Sequence, residues 1–225
     1  MKTGRSWPGE HRRFPASHEA CKYTLDRIRE EVIAFAKKLP EKSIILDFGC
    51  GEKPYYPFFE KKTKEYIGVD IEESPERSQG TDIVIKQGEK LPFSDEHFDA
   101  IVSTQVFEHI RDLKFYSEEL KRVLKKKGKM LISSAFAWDF HPYPKDYWRI
   151  TEDGYRHLFK NFSHIEFFYD TNSLQTVLQS VNLLLARKQV ERKFLYRFIN
   201  SIVRRMDHRR GDKKFPANIF VYLEK

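Results

Sequence analysis

The chain has 225 residues, 40% of them hydrophobic and 15% aromatic, and a formal net charge of +8 at pH 7. That length and composition suit one folded domain with a sizeable core and exclude a disordered chain. The charge is local: residues 171–214 hold 11 Lys/Arg against 3 Asp/Glu while the rest holds 30 of each, so one basic partner surface is expected rather than a chain that coats nucleic acid throughout.

The opening stretch MKTGRSWPGEHRR lacks an apolar signal core. The longest aliphatic run, VNLLLA, is far below the about 20 residues that span a bilayer. Cys21 and Cys50 form neither a disulfide framework nor a metal-ligand spacing, so a reducing, cytoplasmic setting and no metal are expected. Leu25, Ile28, Val32, Phe35, Ala36 and Leu39 recur at helical spacing and predict an amphipathic helix over 17–39. Short apolar runs follow: SIILDF, EYIGVD, DIVI, FDAIVS and KMLISSA, several apolar on both faces as strands of a covered parallel sheet must be. Between them, Leu113, Tyr116, Leu120, Val123 and Leu124 predict a helix over 112–127, with Gly128 placed as its C′ glycine. HIEFFY and NIFVYL read as two late strands, with residues 172–206 helical between them. Alternating strand and helix predicts a doubly wound, Rossmann-like α/β sheet whose ligand sits at the carboxyl ends of its strands. The organisation expected is a single domain. Residues 1–40 form a helical extension, 41–170 a cofactor-binding core, 171–214 a basic helical insertion and 215–225 the final strand.

The first strand runs into Gly49 and Gly51, which permit a tight turn and a close backbone approach to a ligand, and Pro54 suits the first turn of a following helix. The second strand ends in Asp70, placed as an acid that accepts both hydroxyls of a ribose. An NAD-type pyrophosphate fits poorly: Pro54 stands where the third glycine of G-x-G-x-x-G belongs, and the Asp47 carboxylate would repel phosphate. A ligand with a cationic amino-acid end, such as S-adenosylmethionine, suits that acid better. A glycine pair that is only a turn, and an Asp70 that is only a helix cap, are the structural alternatives.

ILDFGCGEKPY, YIGVDI, EKLPFSDEHFDAIVSTQVFEHI and ELKRVLKKKGKMLISS, in that order and spacing, resemble class I S-adenosylmethionine-dependent methyltransferases, and more closely the type 11 branch, over roughly residues 40–160. The resemblance implies a seven-stranded sheet with an antiparallel last strand. It implies S-adenosyl-L-methionine as cofactor, with Asp47, Phe48, Gly49, Cys50 and Gly51 around its methionine part. Asp70 would take the ribose and Ile71 the adenine face. Gln87, Gly88 and Glu89 would border the adenine edge, and Gln105 would face the methionine moiety. Two positions depart from the family pattern: Lys53 replaces the third glycine of G-x-G-x-G, and Gln87 replaces an acid.

For the acceptor, STQVFEH replaces the Asn/Asp-Pro-Pro-Tyr/Phe motif of amino methylation on DNA or glutamine, and neither cysteine is placed as a C5-pyrimidine nucleophile. The stretch FAWDFHPYPKDYWRIT, 136–151, is expected to overhang the cofactor. His141 or Asp146 could take a proton there, and Tyr147, Trp148 and Arg149 could shape the pocket. It is similar to a His…Pro-x-Asp-Tyr-Trp-Arg-x-Thr stretch of type 11 members from glycan and lipid pathways. The structural alternative is an Asp146–Arg149 ion pair among packed aromatics. His109 is the second base candidate, set against a satisfied buried histidine.

In the insertion, Leu174, Val177, Leu178, Val181, Leu184 and Leu185 form one apolar stripe and Leu195, Phe198, Ile199, Ile202 and Val203 another. Three readings stay open: a lid with a solvated basic face, a peripheral contact with an anionic membrane, or docking to RNA phosphates, of which the nucleic-acid reading is the weaker. The function expected is methyl transfer to an oxygen or nitrogen of a small molecule, with a sugar or lipid-linked glycan as candidates. An RNA methyltransferase and a non-catalytic cofactor-binding partner protein are the alternatives.

Overall fold

The computed structural model describes residues 7–74, 80–189, 192–206, 212 and 214–225. Among them are seven strands: β1 (Ser43–Phe48), β2 (Thr63–Ile71), β3 (Ile83–Ile85), β4 (Phe98–Thr104), β5 (Leu124–Ala135), β6 (His164–Tyr169) and β7 (Asn218–Glu224). They form one sheet in the order β3-β2-β1-β4-β5-β7-β6. Every neighbouring pair is parallel except those of β7, which runs antiparallel to both β5 and β6. This is the Rossmann-like, doubly wound fold expected from the sequence.

Alternation within each strand divides the core between the two faces of the sheet. Leu46, Ile101, Met130 and Ile132 join one cluster, whereas Ile45, Ala100, Val102 and Leu131 join the other. The first face is covered by α4 (Leu113–Val123) and α5 (Glu152–Leu158), the second by α2 (Lys22–Lys37) and the short α3 (Tyr56–Phe59). A short helix α1 (Glu10–Arg13) precedes α2. Asp112 caps α4 by accepting from Phe115 N at 2.9 Å, and Thr151 caps α5 by accepting from Gly154 N at 3.2 Å.

Three local expectations are corrected. Helix α4 ends at Val123, because Leu124 already pairs with Phe98 in the sheet. Gly128 is therefore not its C′ residue. It lies where an added Cβ would meet Leu124 Cδ1 at 2.7 Å, and Lys127 takes the left-handed conformation instead (φ 61°). Pro54 precedes α3 rather than opening it, and the proline in the first turn is Pro57.

The predicted helical stretch 172–206 is two helices, α6 (Ser173–Arg187) and α7 (Lys193–Arg205), between β6 and β7. They pack on each other and on the segment before α2 through amides. Gln175 Nε2 donates to Val203 O at 2.9 Å, Asn182 Nδ2 to Asn200 Oδ1 at 2.9 Å, and Asn200 Nδ2 to Glu19 O at 2.9 Å. Tyr23, Ile199 and Val203 add a small apolar cluster. The predicted apolar stripe of α6 divides: Leu178 and Leu185 pack on this cluster, whereas Leu174, Val177, Val181 and Leu184 face outward, 59%, 51%, 39% and 53% exposed. Most of the loop DHRRGDKK lies outside the described residues.

Candidate active site

In this strand order the chain turns outward in both directions between β1 and β4, so the crevice beyond their carboxyl ends is where an α/β sheet admits a ligand. A cavity of about 340 Å³ opens there, within the range of small-molecule sites. It is lined by Asp47, Phe48, Gly49, Cys50 and Gly51 from the first turn and by Asp70 and Ile71 from the end of β2. Gln87, Gln105, His109 and His141 lie on its other walls. The turn is possible because Gly49 and Gly51 hold φ of 73° and 50°, and a Cβ at Gly49 would lie 2.3 Å from Val106 Cγ2.

Lys53, at the third position of the glycine pattern, adopts φ 53° in its place. Its side chain crosses β2 above Gly68, where a Cβ would meet Lys53 Cε at 2.4 Å, and its ammonium pairs with Asp82. The departure from glycine is thus accommodated by a second glycine and an acid.

Two carboxylates dominate the electrostatics. Asp70 Oδ2 accepts from Gly51 N at 2.7 Å and Oδ1 from Ile71 N at 2.8 Å, so the turn and the strand end are tied together. Asp47 accepts from Tyr66 Oη at 2.7 Å. Burial, with the nearby Asp70 charge, pushes its carboxyl up to about 7 against the hydrogen bond from Tyr66. Burial also pushes the thiols of Cys21 and Cys50 up, which removes them as thiolate nucleophiles at neutral pH. Gln87 Nε2 donates to His109 O at 3.3 Å. Gly88 and Glu89 are exposed and do not line the cavity; Gly88 N donates to Tyr116 Oη at 2.9 Å, and it is Tyr116 that reaches the wall.

The 136–151 stretch is stapled over the short turn Phe107–His109. Tyr147 N and Trp148 N donate to Glu108 O at 2.8 and 3.3 Å, and Trp148 Nε1 donates to Ile110 O at 2.7 Å. This brings the His141 ring to 5.0 Å from that of His109, edge to face. Asp146 is not on the cavity wall. It is clamped by Arg149, whose Nη2 donates to Oδ2 at 2.8 Å, and the guanidinium holds its carboxyl down to about 2. So low a value makes Asp146 a weak base at neutral pH; it positions His141 instead, accepting from His141 N at 3.1 Å. Charge-assisted bonds are worth about 1.5–3 kcal/mol each, so Arg149→Ala is expected to cost about 2 kcal/mol of stability and to loosen this loop, read by thermal melting and hydrogen exchange over 136–149.

Two contributions escaped the sequence reading. The N-terminal segment closes the cavity: Arg12, Cys21, Thr24, Leu25 and Ile28 line it. Arg13, fully buried, donates to the carbonyls of Trp7 (2.6 Å), Pro8 and Pro54, while Trp7 Nε1 donates to Lys53 O at 2.8 Å. A buried arginine that binds backbone carbonyls leaves no periodic trace. The other is Glu108, fully buried beside His109, its carboxyl pushed up to about 7 chiefly by burial; only its adjacency to His109 was visible.

A family model described as "Methyltransferase domain" matches residues 18–186. The chain is 36% identical over 107 residues to an uncharacterised protein of Methanocaldococcus jannaschii, covering 46% of this chain and 50% of that one. It is 33% identical over 109 residues to a tRNA (carboxymethyluridine(34)-5-O)-methyltransferase of Arabidopsis thaliana, covering 46% and 26% respectively. The chain thus spans half or less of the length of these relatives. The crystal structure of an S-adenosylmethionine-dependent methyltransferase from Archaeoglobus fulgidus superposes with a TM-score of 0.57 at 17% identity, covering 90% of this chain and 94% of that one, a likeness of fold.

Proposed function

We propose that this chain, which belongs to the methyltransferase-domain family, moves the methyl group of S-adenosylmethionine to an oxygen or nitrogen of a small acceptor, with a sugar or lipid-linked glycan as the favoured class. The observation that carries the reading is the pair Asp47 and Asp70 at two points of one crevice, bridged by a turn that admits no side chain at Gly49. One acid suits vicinal hydroxyls and the other a cationic amino-acid tail, which is the donor set a sulfonium nucleoside needs. When bound, that cofactor supplies an electrophilic methyl group on an excellent leaving group. The chain's own residues have to orient the acceptor and exclude water. His141, His109, Trp138 and Tyr143 stand on the wall open to an acceptor, and either histidine can receive a proton.

The outward stripe of α6 supports a lipid-linked acceptor. Phe194 and Phe198 of α7 are 65% and 62% exposed, and Arg187, Lys188, Arg192, Lys193 and Arg197 are exposed around them. Apolar area rimmed by cations is the chemistry of an anionic membrane surface. Among the described residues no helix is long and apolar enough to cross a membrane. The same cations, and the tRNA-modifying relative, support RNA as the second reading. Incubation with methyl-labelled S-adenosylmethionine and an acceptor panel tests the reaction. Co-sedimentation with vesicles containing anionic phospholipid, beside filter binding of total RNA, separates the two acceptor classes. Failure of the protein to bind either S-adenosylmethionine or S-adenosylhomocysteine sinks the reading.

The Asp47 carboxyl gives a pH dependence. It must be ionised to face an ammonium, and in the cofactor-free protein it titrates at about 7. Affinity for S-adenosylhomocysteine is therefore expected to fall about tenfold from pH 7 to pH 5.5, as the site must lose one proton to bind. Asp47→Asn should flatten that profile in calorimetry. In the absence of cofactor the sign reverses. The folded state keeps a proton that the unfolded chain, at its ordinary value of 3.8, has released, so stability falls as pH rises from about 4 to 7.

A further inference from the structure

We propose that Glu108, His109 and His141 bind one divalent transition-metal ion at the acceptor side of the cavity, and that an oxygen of the methyl acceptor completes its coordination. One donor atom from each of the three lies within 4.8 Å of the others.

Three observations carry the site. Glu108 is fully buried, and while Oε1 accepts from Ala135 N at 3.4 Å, Oε2 has no hydrogen-bond partner. A buried carboxylate oxygen left in that state is costly, and a cation satisfies it. Second, the Nδ1 of each histidine faces a backbone carbonyl: His109 that of Lys145, and His141 that of Asp139 at 2.8 Å. A carbonyl can only accept, so each Nδ1–H donates to it, which leaves Nε2 as the nitrogen open to an ion. That tautomer, fixed by an outer carbonyl, is the one a metal-bound histidine uses. Third, the donors are held before any ion arrives. Glu108 and His109 share one turn, and His141 is fixed to it through Asp146 and Arg149 and through the Tyr147 and Trp148 amides on Glu108 O.

Two imidazoles and one carboxylate suit Zn²⁺, Co²⁺, Fe²⁺ or Mn²⁺ better than Mg²⁺ or Ca²⁺, which prefer all-oxygen sets. Three protein ligands leave positions open, as in catalytic rather than structural metal sites. Because His109 and His141 line the cavity, those positions face the acceptor. The role of the ion rests on the methyltransferase reading above; the site itself does not. A hydroxyl bound there becomes more acidic and, because both histidines are engaged by the ion, releases its proton to water instead of to a ring nitrogen. Its oxygen then takes the methyl carbon as the carbon–sulfur bond breaks, and that electron pair stays on sulfur. The site thereby favours oxygen over nitrogen as the atom methylated.

The test uses the full, tag-free chain stripped with a chelator. Titration with Co²⁺, followed by its visible d–d absorption, should show one ion per chain, displaced by Zn²⁺ but not by millimolar Mg²⁺. His141→Ala should weaken Co²⁺ binding by tenfold or more. Should that variant melt without a cooperative transition, Glu108→Gln, which keeps the side-chain volume, serves in its place with the same expectation. Absence of saturable one-to-one Co²⁺ binding, or binding unchanged in the folded variant, overturns the site. S-adenosylhomocysteine titrated into the metal-free protein keeps the two proposals apart. If it binds and Co²⁺ does not, only the metal site fails; if Co²⁺ binds and it does not, only the cofactor reading fails.

Discussion

Gly49→Ala is expected to lower stability by about 4 kcal/mol, combining the roughly 1–2 kcal/mol of a left-handed non-glycine residue with about 1–3 kcal/mol of overpacking. For a chain of this size each kcal/mol moves the thermal midpoint by about 2–4 °C, so a fall of about 10 °C should be measured. The cause is specific. The added carbon would stand 2.3 and 2.6 Å from the two Cγ atoms of Val106, which lies just past the end of β4, while the backbone sits at φ 73°. Val106→Ala removes both Cγ contacts and leaves its Cβ at 3.0 Å. The double variant should therefore recover the overpacking component but not the backbone strain, a coupling of about 2 kcal/mol in a double-mutant cycle. A Gly49→Ala melt within 2 °C of the parent would show that the turn and β4 are not in contact as described.

That contact also explains what the sequence could and could not disclose. The strands were legible because each is a short apolar run whose alternation had to satisfy both faces of a covered sheet, as Leu46 and Ile45 do on opposite sides. The first turn was legible because only glycine tolerates the positive φ there. Lys53 shows the limit of that logic: it takes the same kind of conformation without being glycine, and its compensation, Gly68 beneath it and Asp82 beyond, is distributed over β2 and the segment after it. Helix α6 shows a different limit. Of its predicted stripe only Leu178 and Leu185 pack inward, while Leu174, Val177, Val181 and Leu184 stay outside and the face that docks carries Gln175, Gln179 and Asn182. Periodicity identifies an amphipathic helix but does not say which side the protein keeps for itself. Likewise Arg13 and Glu108 act through carbonyls and burial that arise only when distant segments meet, so nothing in their neighbours announced them.

Asp70→Ala is expected to reduce affinity for S-adenosylhomocysteine by about a hundredfold. Two hydroxyl-to-carboxylate hydrogen bonds at about 1.5 kcal/mol each give about 3 kcal/mol, and each 1.4 kcal/mol is tenfold. Calorimetric titration reads this directly, but the loss has two sources that must be divided. An ionised carboxylate offers about four acceptor sites, and the amides of Gly51 and Ile71 each engage one of its two oxygens. Alanine removes the contact to ligand and also leaves the Gly51 and Ile71 N–H groups without this acceptor, at about 1–3 kcal/mol each. Asp70→Asn keeps one carbonyl oxygen for the Gly51 amide but sets its NH2 against the Ile71 N–H, so it should lose about tenfold in affinity and about 1 kcal/mol of stability. The ribose contact itself is isolated by the ligand rather than the protein. The parent should bind the 2′-deoxy analogue about tenfold more weakly than S-adenosylhomocysteine, as expected for loss of one charge-assisted bond, whereas Asp70→Ala should bind the two alike. Because both ligands meet the same damaged turn, collapse of the turn alone cannot produce that equality in the variant together with discrimination in the parent. Equal binding of the two by the parent, or a loss below threefold in Asp70→Ala, would mean that the carboxylate at the end of β2 serves the turn and not a sugar.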